Sequence, residues 1–215
     1  VYRALNVMPD PMTALTVIAR APAGSPFAAL VLGPVDDVAH TLKAMAGQDA
    51  RTATDDEWQA ARILAGWPQR GAEIDEKTLV QEVRFDENGG VSYEKGCYTG
   101  QETVARLHFR GHTNRDLRGL VWTDPPVIPN DGVILSAAGV ILSAAKDRPA
   151  SSEAKDRPAM KVTLGEKEVG SVRSILSLPT ARLALALVRR EVETGQVVTA
   201  GGVAATVVAL PFQPA

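Results

Sequence analysis

Beyond Gly119 the sequence breaks into short β-prone runs, and this succession limits the fold more than any other feature. LVW after Gly119, Glu168–Arg173 (EVGSVR), Arg182–Arg189 (RLALALVR), Gln196–Thr199 and Val203–Leu210 are separated by glycine, proline and charged turns. Several short strands at such spacing predict a small barrel or sandwich at the C-terminus. Upstream, the apolar runs Leu15–Arg20 and Phe27–Leu32 read as buried strands. A helix follows over Asp36–Met45, with Val38, Leu42 and Met45 on one face. Strand, strand, helix is the order of an α+β body rather than an alternating βαβ array. A second helix is predicted over Thr54–Ala65, with Thr54 and Glu57 forming a capping box and Gly66 and Pro68 closing it. The stretch Gly71–Lys95 is polar, with a turn at Asn88-Gly89-Gly90.

One segment interrupts this pattern. GVILSAA at Gly132–Ala138 is repeated at Gly139–Ala145, and KDRPA at Lys146–Ala150 recurs at Lys155–Ala159. A repeat this short cannot bury a core of its own, unlike a solenoid unit. It is expected to be a mobile surface loop, about 133–160, inserted between barrel strands. The expected division is therefore an α+β domain over 1–115 and a β-barrel domain over 116–215. A length of 215 residues suits one large domain or two small ones.

Composition removes several classes of function. Lys and Arg total 23 against 25 for Asp and Glu, so the formal charge of -2 excludes a histone-like binder, and no direct nucleic-acid binding is expected. A hydrophobic content of 45% argues for a packed core and against wholesale disorder. No stretch reaches the roughly 18 uncharged apolar residues of a membrane span, and VYRALNVMPDP lacks the pattern of a secretory leader. A cytoplasmic location without a membrane partner is expected. The sequence has no P-loop, no GxGxxG opening a helix and no GxSxG. Its one cysteine, Cys97, excludes an internal disulfide, a CxxC redox pair and a metal site of several thiolates.

The run Lys95-Gly96-Cys97-Tyr98-Thr99-Gly100-Gln101-Glu102 is the most informative in the chain. Thr99 and Glu102 have capping-box spacing, which predicts a helix from Gly100 with Val104 and Leu107 on its buried side. Cys97 would precede that helix N-terminus, two residues from Lys95. Both a helix N-terminus and a nearby cation favour thiolate over thiol, so Cys97 is the candidate reactive group. A small buried hydrophobe within a glycine-shaped turn is the competing reading of the same cysteine. Arg106, Arg110, Arg115 and Arg118, with His108 and His112, make the following segment locally basic. That charge suits either an anionic ligand or a solvated helix end. His108 and His112 are four apart, but Gly111 is expected to break the helix between them, and no metal site is expected. Trp58 and Trp67 read as packing residues, and Glu73, Asp75 and Glu82 as solvent-facing acids.

KGCYTGQE followed by VARLHFRGH resembles the signature of the YgfZ family of folate-binding proteins, relatives of the glycine-cleavage T-protein and of a mitochondrial iron–sulfur assembly factor. Arg62–Asp75 (RILAGWPQRGAEID), Glu168–Val172, Ala184–Val192 and Ala209–Phe212 carry the resemblance to both sides, over most of the chain from about Thr54. The resemblance implies a folate-binding T-protein-like α+β body followed by a small β-barrel, with tetrahydrofolate or a derivative as ligand. It implies a role for Cys97 in assembling or repairing iron–sulfur enzymes, with client or assembly proteins as partners and an indirect effect on tRNA modification. Lys95, Gly96, Tyr98, Gly100, Gln101, Glu102 and Arg106 become the candidate ligand-contacting residues. The alternative is a tetrahydrofolate-dependent aminomethyltransferase of the T-protein type. Leu64 stands where those relatives commonly carry a carboxylate, in R-x-E-A-G. Family members also carry an N-terminal portion of roughly a hundred residues, and this chain is expected to start inside it.

Overall fold

The computed structural model describes residues 17–21, 24–46, 53–122, 160–178 and 181–212. Strands β1 (Val17–Arg20) and β2 (Ala29–Leu32) form an antiparallel pair, followed by α1 (Val35–Ala46). Helix α2 spans Asp55–Leu64, and a 3-10 helix spans Val80–Val83. Helix α3 (Gln101–Arg110) leads directly into β3 (Arg115–Trp122). Then come β4 (Lys161–Leu164), β5 (Lys167–Ser177), β6 (Arg182–Arg189), β7 (Val197–Ala200) and β8 (Val203–Val208). The expected mixed α+β architecture is present, and its C-terminal strands close into an antiparallel barrel of order β3-β6-β5-β4-β7-β8. The repeated segment lies outside the described residues.

The α2 cap follows the sequence. The Thr54 side chain accepts from the Glu57 amide, and the Glu57 carboxylate accepts from the Thr54 amide at 2.8 Å. Gly66, at φ 64°, ends the helix in the left-handed region, with Trp67 N–H donating back to the Arg62 carbonyl at 2.7 Å.

Strand β6 shows why the barrel and the helical layer are inseparable. Its Ala184, Ala186 and Val188 point into the barrel with Leu120, Trp122, Val162 and Val207. Its Leu183, Leu185 and Leu187 point outward, where they meet Ala60 and Ile63 of α2 and Val83 of the 3-10 helix. Small side chains fill the narrow lumen and leucines fill the outer interface, so Leu183–Val188 is buried on both faces. Two expectations need correction here. β3 begins at Arg115, so Arg115 and Arg118 lie on a strand rather than at a helix end. β4 is an additional strand that the sequence pattern did not announce, because only five residues separate the repeated segment from its turn.

A β-bulge on β5 determines which of its residues reach the helical layer. Val172 pairs with Ala186, but Ser174 pairs with Leu185, so one residue is inserted between them. The insertion reverses the facing of the strand. Val172 stays in the lumen, while Ser174 and Leu176 turn outward toward α2.

Candidate functional site

Buried charge ties the RILAG segment to the barrel. Arg62 Nη1 donates to Glu73 Oε2 at 3.0 Å, and Arg62 Nη2 donates to Ser174 Oγ at 2.8 Å. The Ser174 hydroxyl in turn donates to Glu73 Oε1, and the Gln69 amide donates to Glu73 Oε2. Glu82 is likewise buried, accepting two bonds from Arg115 at 3.1 and 3.0 Å. The expectation of solvent-facing acids therefore fails for Glu73 and Glu82, because each has an arginine to satisfy it. Asp75 is exposed as expected, and its carboxyl is held below the usual range by hydrogen bonds from the Thr78 hydroxyl and the Lys77 amide. Leu64 packs against the apolar interface rather than presenting a polar group.

The signature loop runs into α3 with Cys97 exposed at the surface. The buried-hydrophobe reading of Cys97 is thus excluded. Lys95, also exposed, places its ammonium over the Tyr98 ring, 4.9 Å from the centroid, and its amide donates to Ser92 Oγ. Gly96 has open space around the position of a Cβ. Gly100, at φ 86°, is the N-cap of α3, and no side chain caps this helix. The predicted Thr99–Glu102 capping box is therefore absent. A left-handed glycine at the cap turns the chain where threonine would need extended backbone. Gln101 is half-buried, and Glu102 and Arg106 are exposed. Val104 and Leu107 are half-buried rather than buried, and α3 as a whole buries none of its residues.

What fixes α3 is a cluster that sequence reasoning did not single out. Gln81 Nε2 donates to the Val104 carbonyl at 2.9 Å. Tyr93 stacks on His108 with centroids 3.9 Å apart, and its hydroxyl donates to Asp86 Oδ1 at 2.8 Å. Burial, reinforced by that bond to Asp86, pushes the Tyr93 phenol up to about 12. His108 Nδ1 lies 3.7 Å from Asp86 Oδ2, and exposed Phe109 packs edge-on to His108. The two histidines are separated as expected, since α3 ends at Gly111. Trp58 and Trp67 both pack on Phe27.

Next to the signature, the Tyr98 hydroxyl and the Gln81 side-chain carbonyl are buried without a hydrogen-bond partner among the described residues. Both residues neighbour the Tyr93 hydroxyl. Residues 89–95 line an open groove of about 650 Å³, whose lining includes neither Tyr98 nor Gln81. Polar atoms of this kind call for a partner. No group of three or more His, Cys, Asp or Glu residues that could hold a metal occurs among the described residues.

This chain is similar to the tRNA-modifying protein YgfZ of Vibrio atlanticus, with 36% identity over 77 residues. Part of this chain is homologous to YgfZ. That match covers 36% of the chain and 24% of the relative. The YgfZ of Escherichia fergusonii is 39% identical over 79 residues, covering 37% and 24%. The YgfZ of Klebsiella pneumoniae is 36% identical over 94 residues, covering 44% and 27%. The chain thus matches about a quarter of the length of these curated YgfZ relatives. No family model matches it. Among the described residues, no helix is long and apolar enough to cross a membrane.

Proposed function

We propose that this chain has a YgfZ-type role in tRNA modification, exerted through the upkeep of iron–sulfur enzymes, with Cys97 as its functional thiol. The observation that carries this reading is the exposure of Cys97 on a loop held in place by Lys95 over Tyr98 and by Gln81 on α3. A single thiol cannot hold a cluster that normally takes four protein ligands. Cys97 must therefore act together with a partner protein, a second copy or a small thiol.

Tetrahydrofolate is the proposed ligand, and bound there it would supply a carrier for one-carbon units. Lys95, Gly96, Tyr98, Gly100, Gln101, Glu102 and Arg106 would form the loop and helix that receive it. Aminomethyl transfer is the weaker reading, because the RILAG stretch has no spare carboxylate. Leu64 is packed, and Glu73 is committed to Arg62, Gln69 and Ser174.

Two experiments test the reading. In cells that depend on this protein, Cys97→Ala should lower iron–sulfur enzyme activity and thiolated tRNA while leaving protein abundance unchanged. Normal activity would remove the thiol from the account. Anaerobic calorimetry with tetrahydrofolate should show affinity on the order of micromolar, weakened by Tyr98→Phe. Heat-silent titration of the folded chain would remove the folate.

A further inference from the structure

We propose that Gln81 is a positioning residue for Cys97: its side-chain amide fixes the N-terminal half of α3, and with it the loop that carries the thiol, to the barrel. The proposal rests on the reading of Cys97 as the functional thiol. The residues that follow Gln81 are anchored on the barrel side. Glu82 accepts two bonds from Arg115 of β3, and Val83 is buried in the leucine layer outside β6. Arg84 donates to the carbonyls of Gly66 and Leu210. Gln81 turns instead to α3, where its Nε2 donates to the Val104 carbonyl at 2.9 Å.

Helix α3 needs such a tie. It has ten residues, buries none of them and has no side-chain cap at Gly100. A helix this short holds its place through tertiary contacts rather than through its own propensity. The stack of His108 on Tyr93 and its approach to Asp86 grip the C-terminal half, remote from the thiol. Val104 lies in the other half, and hydrogen bonds lead from it to the thiol. The Val104 amide donates to the Gly100 carbonyl, and the Gln101 amide to the Tyr98 carbonyl, each at 3.2 Å. Tyr98 is the neighbour of Cys97, and its ring carries the Lys95 ammonium. The bond requires a donor at position 81. Methionine matches the length of glutamine without an N–H, and an ionised glutamate offers a carbonyl only acceptors.

The test combines two measurements on the full chain. In hydrogen–deuterium exchange, Gln81→Met and Gln81→Glu should each speed the amides of residues 98–107 fivefold or more, leaving 115–122 and 182–189 unchanged. Alkylation of Cys97 by anionic iodoacetate is then compared with alkylation by neutral iodoacetamide. The ratio of the two rates senses the cation of Lys95 beside the thiol, and it should fall threefold or more in both variants. Thr54→Ala, which weakens the cap of α2 instead, should leave the local exchange and the ratio at parent values. Unchanged exchange in Gln81→Met would mean that the side chain only fills space, and overturns the proposal. Faster exchange with an unchanged ratio overturns the link to Cys97. The same changes in Thr54→Ala would reduce the effect to general destabilisation and also overturn it. Neither measurement reads cellular activity, so a silent Cys97→Ala in cells would remove the functional thiol without touching this result.

Discussion

Arg62 and Glu73 form a salt bridge of 3.0 Å in which the side chains are 4% and 0% exposed. Removing one member leaves the other charged and buried, which costs about 3–5 kcal/mol. Glu73→Ala should therefore lower unfolding free energy by roughly that amount in urea denaturation. Replacing both, as Arg62→Met/Glu73→Leu, should cost less than the single change, because no lone charge remains. A loss below about 1 kcal/mol for Glu73→Ala would show that the pair is solvated, as only exposed pairs are worth so little.

Thr54 and Thr99 have the same sequence spacing to a glutamate but different structural roles. Thr54 caps α2 through its side chain, whereas α3 is capped by Gly100 without side-chain help. Thr54→Ala should cost about 1 kcal/mol, the usual value of a lost N-cap. Thr99→Ala, at an exposed position, should stay within about 0.5 kcal/mol. Equal losses in thermal unfolding would restore the capping box that the sequence suggested for α3.

The contrast between those threonines shows how far the sequence could be read. Local signals worked where one segment decides its own shape: the α2 cap, the Gly66 stop, the turn at Asn88-Gly89-Gly90 and the strand at Arg182–Arg189. They failed where a distant partner decides. Glu73 and Glu82 look solvated in a polar stretch, and only the fold brings Arg62, Ser174 and Arg115 to them. Ser174 faces α2 because of a bulge that no residue pattern announces. For the site, the signature marked the Cys97 loop. The Tyr93–Asp86–His108 cluster stayed hidden because its members lie on separate segments. A tyrosine seven residues from an aspartate was the only clue.

Gly66 and Gly100 both adopt positive φ, and their surroundings separate them. A Cβ at Gly66 would strike Arg84 Nη1 and lie 2.8 Å from Leu210 Cβ, while at Gly100 it would meet nothing within 4 Å. Arg84 there bonds the Gly66 carbonyl at 3.2 Å and the Leu210 carbonyl at 3.0 Å, holding α2 to the C-terminal segment. Gly100→Ala should cost about 1–2 kcal/mol, the backbone penalty alone. Gly66→Ala should cost clearly more, since Arg84 and Leu210 must also move. Denaturation midpoints of the two variants in the opposite order would contradict the packing at Gly66.

Tyr93 gives the fold a dependence on alkaline pH. Its phenol is pushed up to about 12 from the ordinary 10.0, first because burial disfavours the phenolate and then because only the neutral phenol can donate a hydrogen bond to Asp86. A folded-state value above the unfolded one means that the neutral phenol is favoured by folding. This stability is fully present below pH 10 and is lost as the pH rises toward 12. Difference absorbance at 295 nm should show a late-titrating phenol that is missing from Tyr93→Phe. Asp86→Asn removes the charge but leaves the burial, so it should bring that midpoint only part of the way down. A midpoint already at the ordinary value in the parent protein would mean that Tyr93 is not packed on His108 in solution.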